Sequence, residues 1–388
     1  MTRTNLLWLT AAAVAALPPA LEAQGPVRVR AAGFYERYSF DPGLAYGSIS
    51  EIAVPVAVDL TLGRFANLAL SSGFVSIDLN DTTGGSQTLS GALDTELRLG
   101  MNVVPGRLIM LVSGSLPTGV RSVEQADIAI LGALASDVIG FAVPSVGSGG
   151  SVGGGVVGAV PLGRFALGLG ANYSYSLSYE PIAGDTREIR PGPEIRGRAG
   201  LEGPLGRTTY LRLTTVVARR GRDMFADSTQ NGIGMRLIGY LELAQGFGNT
   251  QLTLYGYDVY RGSPAVEPTA VGKAILPKGN LIVAGMRFSL PVTQRFTIVP
   301  RTEFRYSSQA PGSFQDADNN PNTAPTFVQG AMAKAGTSLR FGLDARQRLA
   351  NAVALVLNGG FLTGTFSSTG TDIGVSGFRF GLLLDITP

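Results

Sequence analysis

Long stretches of this chain alternate apolar and polar or small residues at every second position. From Ile52 to Leu62, aliphatic residues hold the even positions; from Phe165 to Leu177, apolar residues hold the odd ones. A β-strand directs successive side chains to opposite faces, and a strand needs about 9–11 residues to cross the hydrocarbon of a membrane. The runs reach that length. The pattern therefore predicts membrane strands with lipid on one face and a polar lumen on the other.

Short turns and longer polar stretches separate these runs. Turns built on Leu-Gly-Arg recur at residues 62–64, 162–164 and 205–207, and Gly supplies the positive φ of a tight hairpin. Counting the runs predicts an all-β, transmembrane antiparallel up-and-down β-barrel of about sixteen strands, with short periplasmic turns and long extracellular loops. The runs at 27–40 and 250–260 alternate poorly, so the pattern also allows fourteen strands. The predicted strands cover residues 27–40, 48–62, 65–80, 87–103, 107–116, 152–162, 164–179, 192–203, 208–219, 233–244, 250–260, 281–290, 295–306, 330–343, 348–365 and 374–387.

The N-terminus has the order of a secretory signal. Arg3 precedes an apolar segment at residues 6–17, and Ala23 offers a small residue for cleavage. We therefore expect a signal peptide at residues 1–23 and a single outer-membrane barrel domain at residues 24–388. This order places the protein in the bacterial outer membrane after export through the periplasm. The alternative is a retained N-terminal anchor, which the shortness of the apolar segment argues against.

The composition excludes several kinds of chemistry. The chain contains no Cys and no His, so it lacks the commonest Zn and Cu ligands and every His-dependent nucleophile. The outer-membrane phospholipases, acyltransferases and omptin proteases depend on a His as families. We therefore expect no enzyme activity, no catalytic residue, no metal and no cofactor. The net charge of +3 gives no indication of nucleic-acid binding.

One segment departs from strand alternation. Residues 122–139 carry apolar side chains at helical spacing, and Ser122 with Gln125 fits a capping box. Such a helix could plug or cover the barrel, or it could pack as an ordinary surface or periplasmic helix. In the first case residues 120–145 would gate the lumen. The plug or lid residues would be Val123, Ile130, Leu134 and Ile139.

Strand parity assigns a set of charged residues to the inward face of the barrel. They could line a solute pathway and set its ion or solute preference, or they could satisfy one another as an interior lattice of salt bridges. Arginine outnumbers the acidic residues in this set, which favours a mild anion preference. The lumen-lining candidates are Asp94, Glu96, Arg98, Arg196, Arg198, Glu202, Arg212, Arg236, Glu242, Arg287, Arg301, Glu303, Arg305, Arg340 and Arg379.

Two motifs resemble known groups of outer-membrane proteins. Residues 378–386 alternate like the C-terminal strand by which the barrel-assembly machinery recognises its clients. The Leu-Pro-Thr-Gly strand end at residues 116–119, the following helix and the Gly-rich return strand resemble outer-membrane channels of the long-chain-fatty-acid and aromatic-hydrocarbon uptake type. That resemblance implies diffusion of small apolar molecules through a partly plugged barrel.

The leading hypothesis is a non-enzymatic outer-membrane channel for passive uptake of small hydrophobic molecules, partly gated by residues 120–145. The first alternative is a general diffusion porin with a mild anion preference. The second is a structural or adhesive barrel with a blocked lumen. The expected partners are outer-membrane lipid, the barrel-assembly machinery and a small-molecule solute. Nucleic acid is not expected, and an oligomer is allowed.

Overall fold

The strands of this chain close into one antiparallel barrel. The structure is a computed structural model that describes residues 27–226, 228–264, 278–310, 312–315, 326–368 and 371–387; the predicted signal peptide at residues 1–23 lies outside the described residues. In chain order the strands are β1 (Val27–Phe40), β2 (Tyr46–Leu62), β3 (Ala66–Asp81), β4 (Ser86–Ala92), β5 (Thr95–Val104), β6 (Leu108–Leu116), β7 (Ser151–Leu162), β8 (Phe165–Ser176), β9 (Ile189–Arg190), β10 (Glu194–Pro204), β11 (Thr209–Arg220), β12 (Arg222–Phe225), β13 (Ser228–Gly232), β14 (Arg236–Phe247), β15 (Thr250–Arg261), β16 (Lys278–Pro291), β17 (Phe296–Ala310), β18 (Gly312–Gln315), β19 (Thr326–Gln329), β20 (Ala333–Ala350), β21 (Val353–Ser368) and β22 (Thr371–Ile386).

Seventeen of these segments form the wall, and they occupy sixteen strand positions because β4 and β5 share one. Both pair with β3, and the strand is interrupted between them at Leu93 and Asp94. The first strand pairs with both β2 and the last strand, β22, so the sheet is closed. Beyond the wall, β9, β12 and β13 form a small sheet, and β18 pairs with β19.

The outward face of the wall is apolar. Leu169, Leu357 and Phe380 point away from the lumen and remain exposed although they are large hydrophobic side chains. Lipid covers such a surface in a membrane barrel, and closure of the sheet satisfies the backbone polar groups at membrane depth. The architecture is that of a bacterial outer-membrane β-barrel, and it places the protein in that membrane.

The predicted number of sixteen strands is confirmed, and the fourteen-strand alternative is wrong. Both poorly alternating runs form wall strands, β1 and β15. One predicted turn is also wrong, because β20 continues through residues 344–347 to Ala350. Asp344 lies in this stretch, faces inward and is 3.4 Å from Arg301. The polar residues there belong to the lumen face of a strand.

The two sides of the barrel differ in height. Strands β2 and β20 contain 17 and 18 residues, whereas β6 and β10 contain 9 and 11. The loop between β6 and β7, residues 117–150, is hereafter the inserted loop. The side with the long strands β2 and β20 is hereafter the high wall, and the side with the short strands β6 and β10 is the low wall. The inserted loop leaves the low wall and packs against the high wall.

The predicted helix is present but shorter than residues 122–139. A 3-10 turn at Gln125–Asp127 leads into α1 (Ile128–Leu134), and the irregular chain beyond it is held by wall side chains that donate to the carbonyls of residues 137–140. The predicted capping box is wrong, since Ser122 Oγ donates to the carbonyl of Glu180 at 2.6 Å. Among the described residues, no helix is long and apolar enough to cross a bilayer.

Candidate functional site

The inserted loop buries its apolar side chains against the inner wall. The predicted plug residues Val123, Ile130, Leu134 and Ile139 are 6%, 0%, 1% and 1% exposed. They form one cluster with inward-facing wall residues, so α1 lies inside the barrel. The wall members of the cluster are Tyr38, Ile49, Ala53, Val75, Ile77, Leu79, Leu89, Leu362 and Val375. The structure therefore brings the four predicted residues together, and their gating role stays a prediction.

Wall side chains hold the backbone of the inserted loop just beyond α1. The guanidinium of Arg340 donates to the carbonyl of Ile139 at 2.7 Å, and Ser338 Oγ donates to the carbonyl of Val138 at 2.6 Å. Arg379 donates to the carbonyl of Gly140 at 2.8 Å. Carbonyls that a longer helix would use internally are thus satisfied by the wall, which fixes this part of the loop as an irregular segment.

Two buried acids hold the next residues of the loop. Glu36 Oε1 accepts the backbone N–H of Ala142 at 2.7 Å, and Glu51 Oε1 accepts that of Val143 at 3.1 Å. Both carboxyl groups are fully buried in inward positions of β1 and β2. A buried carboxylate requires several donors, and Glu36 also accepts from the guanidinium of Arg379 at 2.6 Å. The loop therefore supplies one backbone donor to each of these acids, while Oε2 of Glu51 has no hydrogen-bond partner among the described residues.

A third set of contacts fixes Asp137, at the position where the loop leaves α1. Its carboxylate forms an ion pair with Arg261 at 2.6 Å, and its carbonyl accepts from Arg305 at 3.3 Å. Arg305 in turn pairs with Glu303 at 2.8 Å. These groups come from β15 and β17, so the attachment of the loop extends across the high wall from β1 to β15.

Asp94 joins the two ends of the inserted loop, which are hereafter its neck. One carboxylate oxygen accepts the backbone N–H of Gly119 at 2.9 Å, and the other accepts the N–H and hydroxyl of Ser148 at 2.7 and 2.9 Å. The break between β4 and β5 frees this side chain from the strand ladder. Asp94 was predicted to line the lumen, and its contacts give it the further role of joining the two ends of the loop.

The interior retains space beside and below the inserted loop. One cavity of about 550 Å³ lies under the loop, and Phe34, Leu93 and Val146 are among its lining residues. A second, polar cavity of about 470 Å³ follows the low wall. The two share Arg30, Ala57, Ser71, Glu96 and Ser115, so they are contiguous.

The strand registers place the predicted lumen-lining residues of the strands on the inward face. Several of them form ion pairs with strand neighbours: Arg212 with Glu202, Arg287 with Glu242, Arg305 with Glu303, Arg236 and Arg196 with Glu194, and Arg379 with Glu36. In the described part of the chain, Glu96, Arg98 and Arg198 form no ion pair. The salt-bridge lattice is therefore present, and it leaves two arginines of the low wall facing solvent in the lumen.

Sequence reasoning found Arg340, Arg379 and Asp94 as inward-facing residues but missed others that hold the loop. Glu36, Tyr38 and Glu51 lie on strands where apolar neighbours hide the alternation, although Glu36 and Glu51 share the inward parity of their strands. A charged residue on the inward face of an otherwise apolar strand was the available signal. Nothing in the spacing could have matched Asp137 to Arg261, because 124 positions separate them.

Comparisons with solved structures find weak likenesses to outer-membrane proteins. No family model matches the chain, and no curated protein matches it. Among solved structures, outer-membrane OmpT of Vibrio cholerae matches at 10% identity over 93% of this chain and 97% of that one, with a TM-score of 0.42. OccK7 of Pseudomonas aeruginosa matches at 11% over 93% and 99%, with a TM-score of 0.42. A mutant of the TodX monoaromatic hydrocarbon channel matches at 11% over 94% and 90%, also at 0.42. At this level these likenesses assign no function.

Proposed function

We propose that the protein is a passive, non-enzymatic outer-membrane channel for small polar solutes, with a preference for anions, in which the inserted loop is a fixed constriction. The observation that supports this most strongly is the position of the loop. It is held against the high wall and leaves the contiguous cavities beside it along the low wall. A barrel of sixteen strands is wide enough to accommodate an aqueous path next to such a loop.

The lining of the polar cavity supports the choice of solute. Hydroxyl and amide groups of Ser113, Asn172 and Ser174 lie beside Arg98 and Arg196. Hydrophilic groups of this kind replace part of a solute's hydration, and fixed positive charges raise the local concentration of anions. Three arginines and three acids line this cavity, and Arg30 pairs with Asp59 and Arg196 with Glu194. The low wall then carries Arg98 and Arg198 against Glu96, none of which has an ion-pair partner among the described residues, and this excess of positive charge supports a mild anion preference.

Uptake of hydrophobic molecules is the second candidate function. The cavity under the loop favours it, since Phe34, Leu93, Val143 and Leu383 contribute apolar surface there. The buried side chains of α1 do not support it, because Ile130 and Leu134 are used in packing against the wall. The polar cavity is therefore the better guide to the solute, and the anion-preferring channel is the proposal that we favour.

The proposal is tested by solute flux into liposomes that contain the refolded mature chain. Small sugars and small organic anions should enter faster than cations of equal size, and the rate should fall steeply with solute size. Entry of apolar solutes alone would support the hydrophobic channel. Absence of flux for every solute, in liposomes where the folded barrel is demonstrated, would support a structural or adhesive barrel.

A further inference from the structure

The periplasmic end of the barrel carries a ring of arginines. Among the turns that join wall strands at this end, all of which are described, five contain an arginine. These rim arginines are Arg64, Arg107, Arg164, Arg207 and Arg295, and all are exposed. The same turns contain no Asp, Glu or Lys. Guanidinium groups therefore supply all of the side-chain charge in these turns, and no acid in the turns offsets it.

Nothing in the described protein neutralises the rim. No ion pair joins a rim arginine to an acid within the described residues. The opposite end of the barrel differs, because its described loops mix both signs. There Arg187 pairs with Asp185, and Arg220 pairs with Asp223. Five unpaired arginines in turns that contain no acid indicate a partner of negative charge at this end.

Aromatic neighbours set the depth of the rim arginines in the membrane. The guanidinium carbon of Arg64 lies 4.8 Å from the ring centroid of Phe65, and that of Arg164 lies 5.4 Å from the ring of Phe165. Phe165 has the outward parity of β8, whose even positions face the lumen, as is expected of a ring that meets lipid. Aromatic girdles mark the membrane–water interfaces of such barrels. The guanidinium groups therefore lie at the level of the lipid headgroups.

We propose that the rim arginines bind phospholipids of net negative headgroup charge in the periplasmic leaflet. A guanidinium presents a planar fork of donors that matches two phosphate oxygens, which an ammonium cannot do. A zwitterionic headgroup carries its own cation beside the phosphate, so an unpaired arginine ring selects lipids that lack it, such as phosphatidylglycerol. Each basic residue near an anionic surface contributes roughly a fivefold preference. Five such residues make the barrel select its surrounding lipids at one leaflet.

The test uses the full refolded chain in nanodiscs of equal parts phosphatidylglycerol and phosphatidylcholine. Lipids that remain bound after transfer to detergent are counted by native mass spectrometry. The wild type should retain phosphatidylglycerol over phosphatidylcholine at least about fivefold. The variant R64Q/R107Q/R164Q/R207Q/R295Q should retain the two lipids about equally. Because every substituted side chain is exposed in a turn, the barrel should fold, and strand content by circular dichroism checks that it does.

A matched control separates rim charge from total charge. The pair R64Q/R164Q should lower the lipid preference, whereas R98Q/R198Q removes the same charge from the lumen and should leave it unchanged. Equal phosphatidylglycerol retention in the wild type and the five-residue variant would overturn the proposal. The proposal would also be overturned if the five-residue variant lost binding to purified cell-wall sacculi but kept the lipid preference of the wild type. The rim would then contact an anionic polymer. Lipid retention requires no solute flux, so failure of the proposed channel function would leave this result intact.

Discussion

Arg379 and Glu36 lie directly opposite each other on the two strands that close the barrel, with Nη2 of the first 2.6 Å from Oε2 of the second. The same two side chains hold the inserted loop, since Arg379 donates to the carbonyl of Gly140 and Glu36 accepts from the N–H of Ala142. Closure of the barrel and attachment of the loop therefore share one ion pair. Loss of either charge should therefore weaken both the closure of the barrel and the attachment of the loop.

Substitution of Glu36 should destabilise the folded barrel. E36Q leaves the buried guanidinium of Arg379 without its countercharge, and breaking a buried pair in this way costs roughly 3–5 kcal/mol. The free energy of unfolding in urea measures the loss. The control is E202Q, because the pair between Glu202 and Arg212 is exposed and is expected to contribute only about 0–1 kcal/mol. Equal losses in the two variants would show that the Glu36 pair has no special role.

Truncation of Ile130 should loosen the inserted loop. Its side chain is fully buried between α1 and the inner wall, and removal of a buried Ile side chain to Ala costs about 2–5 kcal/mol of packing. Ile128 belongs to the same helix but is 39% exposed, so I128A is the matched control. Tryptic cleavage after Arg121, within the loop, should accelerate in I130A and not in I128A. Similar cleavage in both would contradict the packing described for α1.

The neck of the loop depends on Asp94. D94N replaces one acceptor oxygen by an amide NH₂, which faces the N–H of Gly119 or Ser148 and repels it. We expect noisier single-channel currents, because the loop moves about its base. E96Q lies two residues away and loses no hydrogen bond to the loop among the described residues, so it should resemble the wild type. Quiet currents in D94N would mean that the contacts beyond α1 hold the loop by themselves.

The extracellular ion pair between Asp185 and Arg187 should keep the Asp185 carboxylate ionised at unusually low pH. Hydrogen bonds from Arg187 lower the pKa of Asp185 to about 2. A carboxyl group with a lowered pKa stabilises the folded loop above its unfolded pKa near 4, and this contribution disappears as the pH falls towards 2. The carboxyl resonance of Asp185 in a pH titration measures the shift. R187Q should raise the pKa part of the way towards its ordinary value, because the backbone N–H of residue 187 still donates to Asp185, and an unchanged low value would assign the shift to another cause.

Much of the fold could be predicted from the sequence, because lipid and lumen impose alternation on every wall strand. The run at residues 165–177 shows this plainly. The predictions failed where the inward face of a strand is itself apolar and where polar residues follow one another within a strand. Glu36 and Glu51 were missed because the inserted loop makes the neighbouring inward positions of β1 to β3 as apolar as the outward ones. The break placed at residues 344–347 was wrong because the polar residues there face the lumen within β20.

The inserted loop shows the limit of local pattern. The spacing of Ile130 and Leu134 indicated a helix with one apolar face, and that face is the one that packs. Its length was overestimated, because the chain beyond Leu134 is held in an irregular conformation by wall side chains such as Ser338 and Arg340, about 200 residues away. No pattern within the loop encodes those partners. The position of the loop in the lumen follows from long-range contacts that only the folded barrel reveals.

An anion-preferring path along the low wall, beside a fixed loop, can be tested by the reversal potential of the refolded mature chain in a planar bilayer across a KCl gradient. The matched variant is R98Q/R198Q. We expect steady openings with chloride preference in the wild type, and a marked shift towards potassium in the variant. A silent barrel, or a wild-type preference for potassium that the variant does not change, would contradict this expectation.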